Sequence, residues 1–454
     1  MVFSSMVFLF YFLPIVTVVY FIVPKKLKNI VLFIASLVFY AWGEPKYVVI
    51  MLFSSVFNYF SGLVIDKTRA KKAALTVNII VNIGILVFFK YTNFICSWFG
   101  YGGFNIALPI GISFYTFQAL SYTIDVYRKE TSVQKNYISF GLYLSLFPQL
   151  IAGPIVRYDD VAKQLDNRTV TGKRFMLGFS RFCAGLCKKV LLANSIGKLW
   201  NLISASDPGS LSLAMAWLGV FAFGMQLYFD FSGYSDMAIG LGKMFGFDFL
   251  ENFNYPFVSK SLTEFWRRWH MSLGTWFREY IYIPLGGNRK GRFRSNLNVL
   301  IVWILTGLWH GAAWNFVMWG LYFGIMLILE KQFLRKLLEK NKVIAFIYST
   351  IFVSFSWVLF AVSGARNIFS YFGSLFNVTN LGITSREFLY NIKSYGVLAI
   401  IAIIAAIGIV KKLYDKYVPQ KLYWVKYILA CIGFIVCVAY LVDDTFNPFL
   451  YFRF

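Results

Sequence analysis

The chain has 454 residues, of which 59% are hydrophobic and only 14% are charged. Soluble globular proteins are roughly half apolar and a quarter charged, so this composition excludes an ordinary soluble domain and predicts a polytopic membrane protein. The formal net charge of +24 fits either nucleic-acid binding or lysines and arginines gathered in cytoplasmic loops. The second explanation is favoured, because the basic residues are dispersed among apolar runs and no soluble basic domain is present to bind nucleic acid.

The apolar runs are about 17 to 22 residues long, the length that a helix needs to cross a bilayer. No Pro-, Gly- or Ser-rich linker divides them, so one integral-membrane domain over residues 1–454 is expected. The first run, residues 2–23, is interpreted as a retained span. No basic segment precedes this run and no small-residue cleavage site follows it, which argues against a cleaved signal peptide.

Basic loops orient the predicted spans, because lysines and arginines collect on the cytoplasmic side of a membrane. After the first run come basic residues at 25–28, an apolar run that reaches Trp42, a further run over 47–65 and a second basic loop at 67–72. The two basic loops are two spans apart and therefore share the cytoplasmic face. The N-terminus is then expected outside.

The C-terminal end predicts the same orientation. Basic residues at 331–342 precede an outward span at 343–362, and a return crossing leads to basic residues at 411–421. The last span, 423–441, crosses outward again and ends at two aspartates. The aromatic tail at 449–454 is therefore expected outside, like the N-terminus.

The middle of the chain is less regular. Between about 91 and 175, and again between 230 and 296, glycine, proline and charged residues interrupt the apolar stretches. Broken backbone at membrane depth is tolerated only where protein buries it or where it lines a watery cavity. These stretches therefore predict re-entrant or interfacial segments around a central cavity.

One of the two histidines, His310, ends an apolar run that lies between basic residues at 289–294 and at Lys331. Both ends of this stretch belong on the cytoplasmic face, so the chain must ascend and return, with Gly311 as the expected turning point. A helix rising 1.5 Å per residue climbs about 21 Å from Leu297 to His310, past the middle of a roughly 30 Å core. An ionisable side chain at that depth is a functional candidate; a histidine buried only for packing is the alternative.

The other histidine, His270, is predicted on a polar, interfacial helix, where it is either a second functional residue or one that orients the helix. Two carboxylates, Asp230 and Asp236, lie in an apolar stretch upstream. Buried charges need partners, so structural pairing is favoured over a direct site role. The expected partners are Arg267, Arg268 and Arg278.

The five cysteines suggest no metal site. Cys183 and Cys187 lie four residues apart, and no further cysteine or histidine is near them. Two ligands are too few for a zinc site, so packing is the favoured role and no metal is expected. No disulfide framework is visible either.

Four motifs resemble those of a known family. They are LPIGISFYTFQ at 108–118, YFDFSGYSD at 228–236, a long motif within 252–289 that includes NFNYPF, EFWRRWH and YIPLGGNR, and TGLWHGAAWNF at 306–316. Together they make the chain similar to the membrane-bound O-acyltransferase (MBOAT) superfamily, in particular to its bacterial branch of alginate O-acetyltransferase AlgI-like proteins. The YIPLGGNR motif looks more like the polysaccharide-acetylating branch than the branch that D-alanylates teichoic acids. The resemblance runs from near residue 1 to residue 454.

The resemblance implies an all-α, curved helical bundle with re-entrant segments and a central funnel. It implies that His310 is the catalytic residue and that His270 is a second active-site candidate. The motifs also provide candidates for lining or supporting a cavity, namely Gln118, Tyr228, Asp230, Asp236, Trp309 and Asn315.

The resemblance further implies that an acyl group passes from a cytoplasmic thioester donor, expected to be acetyl-CoA, across a bacterial plasma membrane, with no bound cofactor. Arg289 and Lys290 are donor-mouth candidates, although they are equally explained as topology signals. A secreted or membrane-anchored SGNH-type acetyltransferase is the expected partner, and an extracytoplasmic polysaccharide the expected acceptor. The tail at 449–454 is similar to an aromatic motif in which a tyrosine is proposed to carry acyl, so Tyr451 is either an acyl acceptor or an interfacial anchor.

Acyl transfer to a hydroxyl needs a base for the hydroxyl proton, a role that suits His310. A transporter or flippase is a competing interpretation, because broken helices and an embedded ionisable residue are transporter features too. The absence of an inverted repeat in the sequence favours the enzyme. A structural subunit of a polysaccharide synthesis complex is the third interpretation. The glycan stays open between cell-wall peptidoglycan, another wall polysaccharide, an alginate-like exopolysaccharide and cellulose.

Overall fold

The computed structural model describes the chain at residues 1–101, 103–104, 106–377, 382–419, 422, 424–443 and 449. Within these ranges all regular elements are helices. Eight of the described helices are long and apolar enough to cross a bilayer. The predicted class, an all-α multi-pass membrane protein, is therefore confirmed. The described residues group into two compact units, and the single-domain organisation and the central funnel stay predictions.

The first unit comprises residues 1–186, residues 234–251 and the described part of 429–452. Its cores contain both aromatic clusters and buried amides. Its helices, in chain order, are α1 (Leu13–Ile22), α2 (Lys28–Gly43), α3 (Val48–Lys67), α4 (Lys71–Ser97), α5 (Ile112–Arg128), α6 (Tyr137–Ser145), α7 (Phe147–Leu150), α8 (Tyr158–Asp166) and α9 (Gly172–Cys187).

A network of amides joins α3, α4 and α5 inside this unit. The Oδ1 atom of Asn58 accepts hydrogen bonds from Asn78 (2.8 Å) and Asn82 (2.9 Å), and Thr123 donates to Asn78 (2.8 Å). All four residues are buried. In a membrane protein such bonds hold helices in register, because lipid supplies no hydrophobic force between them.

The second unit comprises residues 187–233 and the described part of 252–428. Three helices are divided between the units by sequence: α9 at residue 187, the helix over Leu213–Met244 at residue 234 and the helix over Val425–Asp443 at residue 429. The helices are α10 (Asn194–Ser204), α11 (Leu213–Met244), α12 (Leu262–Arg268), α13 (Met271–Phe277), α14 (Gly291–His310), α15 (Trp314–Leu329), α16 (Arg335–Lys340), α17 (Lys342–Ala361), α18 (Ala365–Leu375), α19 (Arg386–Ala406), α20 (Ile409–Tyr417) and α21 (Val425–Asp443).

Most predicted spans correspond to helices, with two differences. The expected first span is a helical segment over Phe8–Ile22, shorter than the eight candidate spans, so helix length does not support a crossing there. The stretch from 230 to 244 was expected to be broken, but α11 continues through it to Met244. The break between α6 and α7 is as predicted, because Pro148 starts a new helix and cannot continue the old one.

Candidate active site

Helices α14 and α15 form a hairpin that carries His310 at its bend. Helix α14 ends at His310, Gly311 is extended with a φ of −169°, and α15 begins at Trp314. The two helices approach closely because glycine lies at their contact. A Cβ atom at Gly320 would overlap the carbonyl oxygen of Trp303. Small residues at the contact are typical of helix pairs in membranes. The predicted helix–turn–helix around Gly311 is therefore confirmed.

The His310 side chain lies among aromatic rings and is only 9% exposed. Its ring centroid is 5.0 Å from that of Trp319 and 5.2 Å from that of Phe360, both in edge-to-face geometry. The ring of Trp309 is 4.8 Å away. The structure thus places His310 in an aromatic, largely buried setting, and its catalytic role stays a prediction.

His270 lies at the sharp turn between α12 and α13. Its φ of +46° is in the left-handed region, which histidine tolerates better than most residues. Two backbone hydrogen bonds join this turn to the upstream segment 252–254. The amide of Asn254 donates to the carbonyl of Arg268 (2.9 Å), and the amide of Met271 donates to the carbonyl of Asn252 (3.0 Å). The structure places His270 at a turn between two helices rather than within one, and buries it to 2% exposure. Its position at the membrane interface stays a prediction.

Among the described residues, the imidazole of His270 has one side-chain hydrogen-bond partner, and an aromatic ring packs against it. Its Nδ1 atom is 3.1 Å from Oδ1 of Asn252, and the Phe231 ring packs edge-to-face with centroids 4.7 Å apart. His270 lies outside the eight candidate spans. Burial lowers the pKa of its imidazole to about 3, so the ring is neutral near neutral pH.

Trp309 connects the two histidines within the second unit. Its ring centroid is 4.8 Å from that of His310 and 5.8 Å from that of His270. Trp309 itself is buried. The structure therefore gathers both histidines of the chain around one indole, and three of the predicted site residues are neighbours.

A cavity of about 510 Å³ opens beside His270. Its wall is mostly aromatic and aliphatic, and includes Trp266 and Thr306. Two exposed arginines, Arg267 and Arg278, also line it. An apolar cavity with a few polar or charged groups is the usual form of a small-molecule site.

The two predicted carboxylates have partners that the sequence interpretation did not name. Asp230 forms a buried ion pair with Lys189, and Asp236 pairs with Arg181. Structural pairing is thus correct, whereas the expected arginine partners are wrong. Arg268 instead pairs with Glu264 (2.9 Å), and Arg278 pairs with Glu279 (2.9 Å).

The other polar candidates have structural contacts. Asn315 donates to the carbonyl of Phe360 (3.4 Å) and so ties α15 to α17. Tyr228 is buried, and its ring packs 5.2 Å from that of Phe257. Gln118 belongs to the first unit, where its side chain donates to the carbonyl of Val156 (3.4 Å). Asp236 is in the first unit as well.

The donor-mouth candidates, Arg289 and Lys290, are exposed in the turn before α14. The neighbouring Asn288 accepts a hydrogen bond from Tyr282 (2.7 Å), and Tyr282 lines the cavity beside His270. This contact connects the basic turn to the cavity wall. The acyl-acceptor candidate, Tyr451, lies outside the described residues.

Sequence reasoning missed Asn252 and Glu330 in this region. The buried carboxylate of Glu330 accepts hydrogen bonds from the amides of Leu262 (2.7 Å) and Thr263 (3.0 Å), and from the Thr263 hydroxyl. It thereby holds the start of α12, the helix that leads to His270. The sequence signal for Glu330 was a lone acidic residue directly after the apolar helix α15.

Glu330 and Lys189 both lie in π-helical turns, Glu330–Leu334 and Lys188–Ala193. Such turns often mark functional sites.

Residues 86–374 match the model of the MBOAT, membrane-bound O-acyltransferase, family. The match covers more than half of the chain, and its range contains the hairpin, both histidines and the cavity. The chain belongs to the membrane-bound O-acyltransferase family and is an O-acyltransferase.

Curated relatives indicate the branch. The chain is 42% identical over 393 residues to a protein described as "Probable alginate O-acetylase AlgI" from Azotobacter vinelandii, covering 83% of this chain and 78% of the relative. It is 46% identical over 346 residues to a protein with the same description from Pseudomonas aeruginosa, covering 73% and 66%. It is 30% identical over 516 residues to a "Peptidoglycan O-acetyltransferase" from Helicobacter pylori, covering 100% and 98%. The predicted AlgI-like branch is confirmed.

Proposed function

We propose that this enzyme passes an acetyl group from a cytoplasmic thioester, across the membrane, to hydroxyl groups of a polysaccharide outside the cell. The relatives named for acetylating alginate and peptidoglycan support both the acetyl group and the polysaccharide. The observation that carries the proposal is the cluster of His310, Trp309 and His270, buried in one unit beside a cavity that His270 lines.

The chemistry of this cluster suits acyl transfer. The acceptor hydroxyl attacks the thioester carbonyl, and His310 takes the hydroxyl proton and returns it to the departing thiolate. An ester and a free thiol result, so atoms and charge balance without a cofactor. The aromatic wall excludes water, which would otherwise hydrolyse the thioester.

The donor that best fits the cavity is acetyl-CoA. A pantetheine arm is long and largely apolar, like the wall beside His270, and the nucleotide phosphates carry negative charge. Arg267 and Arg278 at the cavity, and Arg289 and Lys290 in the nearby turn, offer positive charge to such a carrier. The positive-inside rule favours a cytoplasmic location for this basic turn in a bacterial plasma membrane, with both termini outside.

The test is acetyl transfer by membranes that contain the full-length enzyme. Inverted plasma-membrane vesicles receive acetyl-CoA labelled in the acetyl group, and label in lumenal polysaccharide is measured. We expect His310→Gln to lose transfer by at least a hundredfold, while thermal stability in detergent stays near that of the parent, because Gln fills a similar volume but is no base. Wild-type transfer by this variant would remove His310 from the mechanism.

A matched control is Arg335→Ala, which removes an exposed side chain whose one ion-pair partner among the described residues is Glu339, one helical turn away (2.9 Å). Such surface pairs contribute little, typically below about 1 kcal/mol. Its transfer rate should equal that of the parent. Loss of transfer in both variants would mean that the assay reports expression or insertion rather than chemistry.

The route beyond the membrane forms a separate part of the proposal. The acetyl group leaves either on the Tyr451 hydroxyl or on an SGNH-type partner, which completes transfer to the glycan. Tyr451→Phe removes only the hydroxyl, so it should stop transfer if Tyr451 carries acetyl. Retained transfer in that variant assigns the tail an anchoring role and leaves the partner as the acceptor.

A further inference from the structure

The Oδ1 atom of Asn252 is the acceptor in three hydrogen bonds. The Ser272 amide donates to it (3.2 Å), the Ser272 hydroxyl donates to it (2.9 Å), and His270 Nδ1 lies 3.1 Å from it. A backbone amide can only donate, so the Asn252 atom that it faces must be the oxygen and not the nitrogen. The orientation of the Asn252 side chain is therefore fixed by the main chain of Ser272.

This orientation determines the tautomer of His270. An amide oxygen only accepts, so the Nδ1 atom facing it must carry the hydrogen. Since the buried ring is neutral, its other nitrogen, Nε2, has no hydrogen and presents a lone pair. Within the described chain, Nε2 is buried and has no hydrogen-bond partner. An unpaired acceptor in a buried ring that lines a cavity is a place for a ligand's donor group.

We propose that Asn252 is a positioning residue for acyl transfer, holding His270 as the Nδ1–H tautomer so that Nε2 accepts a hydrogen bond from an O–H or N–H group of the bound substrates. The involvement of substrates rests on the proposed function, whereas the hydrogen on Nδ1 follows from the hydrogen bonds, and the bare Nε2 from these bonds together with the burial of a neutral ring. The same arrangement occurs where a histidine uses one ring nitrogen as a metal ligand or base, and a hydrogen bond to its second ring nitrogen fixes the tautomer and the ring orientation.

The side-chain role of Asn252 is separable from its main-chain role. The carbonyl of Asn252 binds the Met271 amide (3.0 Å), and this bond survives any substitution at position 252. Asn252→Leu has nearly the same shape and removes the acceptor together with the amide NH2 group, which has no hydrogen-bond partner in the described part of the chain. Asn252→Asp keeps an acceptor and adds a negative charge. Ser272→Ala is the matched control, because it deletes one donor to Asn252 and leaves the contact with His270 intact.

The first experiment observes the tautomer directly. The chain has only two histidines, so ¹⁵N-histidine labelling of the full-length protein gives two imidazoles, and His310→Gln assigns the remaining one to His270. We expect a protonated Nδ1 and an unprotonated Nε2 in the parent and in Ser272→Ala. In Asn252→Leu the Nε2–H form should become populated. A parent His270 protonated at Nε2, or an unchanged tautomer in Asn252→Leu, overturns the inference whatever the enzyme does.

The second experiment connects the tautomer to transfer. Asn252→Leu should lower kcat/KM for acetyl transfer by roughly 10- to 100-fold, the loss typical when the hydrogen-bond partner of a metal-ligating histidine is removed, and Ser272→Ala should not. Phe231, Trp309 and Asn252 contact the His270 ring and are uncharged. The carboxylate in Asn252→Asp would therefore raise the pKa of His270 and move the acidic limb of the pH profile to higher pH.

The two substrates are distinguished by their Michaelis constants. A raised KM for acetyl-CoA in Asn252→Leu assigns the hydrogen bond to an amide of the pantetheine arm, and a raised KM for the glycan assigns it to the acceptor hydroxyl. Full activity in Asn252→Leu despite a changed tautomer overturns the positioning role. Absence of acetyl transfer in the parent contradicts the proposed function instead, and the labelling result is unaffected by it.

Discussion

The main chains of Gly307 and Phe316 approach closely near the bend of the α14–α15 hairpin. A Cβ atom added at Gly307 would overlap the carbonyl oxygen of Phe316 and lie 3.2 Å from the Cα atom of Gly320. Gly307 is one turn before His310, so this contact sets the position of the imidazole relative to the ring of Trp319. Backbone atoms cannot move aside as a flexible side chain can.

Gly307→Ala is therefore expected to separate the two helices. Overpacking of this kind costs about 1–3 kcal/mol, and the shift should lower acetyl transfer more strongly than it lowers stability. Thermal unfolding in detergent and vesicle transfer measure the two effects. Gly84→Ala in α4 is the control, since a Cβ atom there has open space. Equal behaviour of the two variants would contradict the role assigned to the close contact.

The hairpin itself was predictable from the sequence, because its signals are local. Basic residues on both sides of the stretch, an apolar run ending at His310 and a glycine at position 311 require a turn near that glycine. The structure has this turn. The glycine at position 307 and Gly320 agree with it, although their contact became visible only in three dimensions.

The setting of His270 was not predictable in the same way. Its neighbours Arg267, Arg268 and Arg278 are polar, which suggested a polar, interfacial helix. The burial comes from Asn252 and Phe231, which pack around the turn from other parts of the sequence. The partner of Asp230 was missed for the same reason, because Lys189 is brought to it by long-range packing.

Trp309 should be sensitive to substitution because it contacts both histidines. Trp309→Leu removes the ring between them and leaves a cavity; truncation of a buried tryptophan to alanine costs about 3–5 kcal/mol, and the larger leucine should lose part of that. We expect a lower melting temperature and a loss of acetyl transfer. The comparison is Trp314→Leu, at a 60% exposed position five residues away, which should retain both. Full transfer in Trp309→Leu would show that the two histidines do not depend on this ring.

The ion pair of Lys189 and Asp230 should be structural rather than catalytic. Removing one partner leaves a buried charge alone and costs about 3–5 kcal/mol, whereas replacing both by apolar groups is often neutral. Lys189→Met and Asp230→Leu should each reduce the amount of folded protein, and the double variant should recover it together with transfer. Recovered folding without recovered transfer would instead give Asp230 a direct part in the reaction.

Glu330 should control how α12 presents His270 to the cavity. Its carboxylate accepts from the amides of Leu262 and Thr263 at the first turn of α12, where negative charge is also favoured by the helix dipole. Glu330→Ala would leave these buried amides without an acceptor, at about 1–3 kcal/mol each. Glu330→Gln keeps one oxygen and should lose less.

We expect melting temperature and acetyl transfer to fall in the order parent, Glu330→Gln, Glu330→Ala, because the helix that ends beside His270 loses its anchor step by step. Glu339→Ala is the matched control: this glutamate is exposed and pairs only with Arg335 across one helical turn, an interaction worth about 0.3–0.5 kcal/mol. If Glu330→Ala lowered stability but left the kcat/KM of the folded fraction unchanged, the carboxylate would hold the fold together without affecting the histidine.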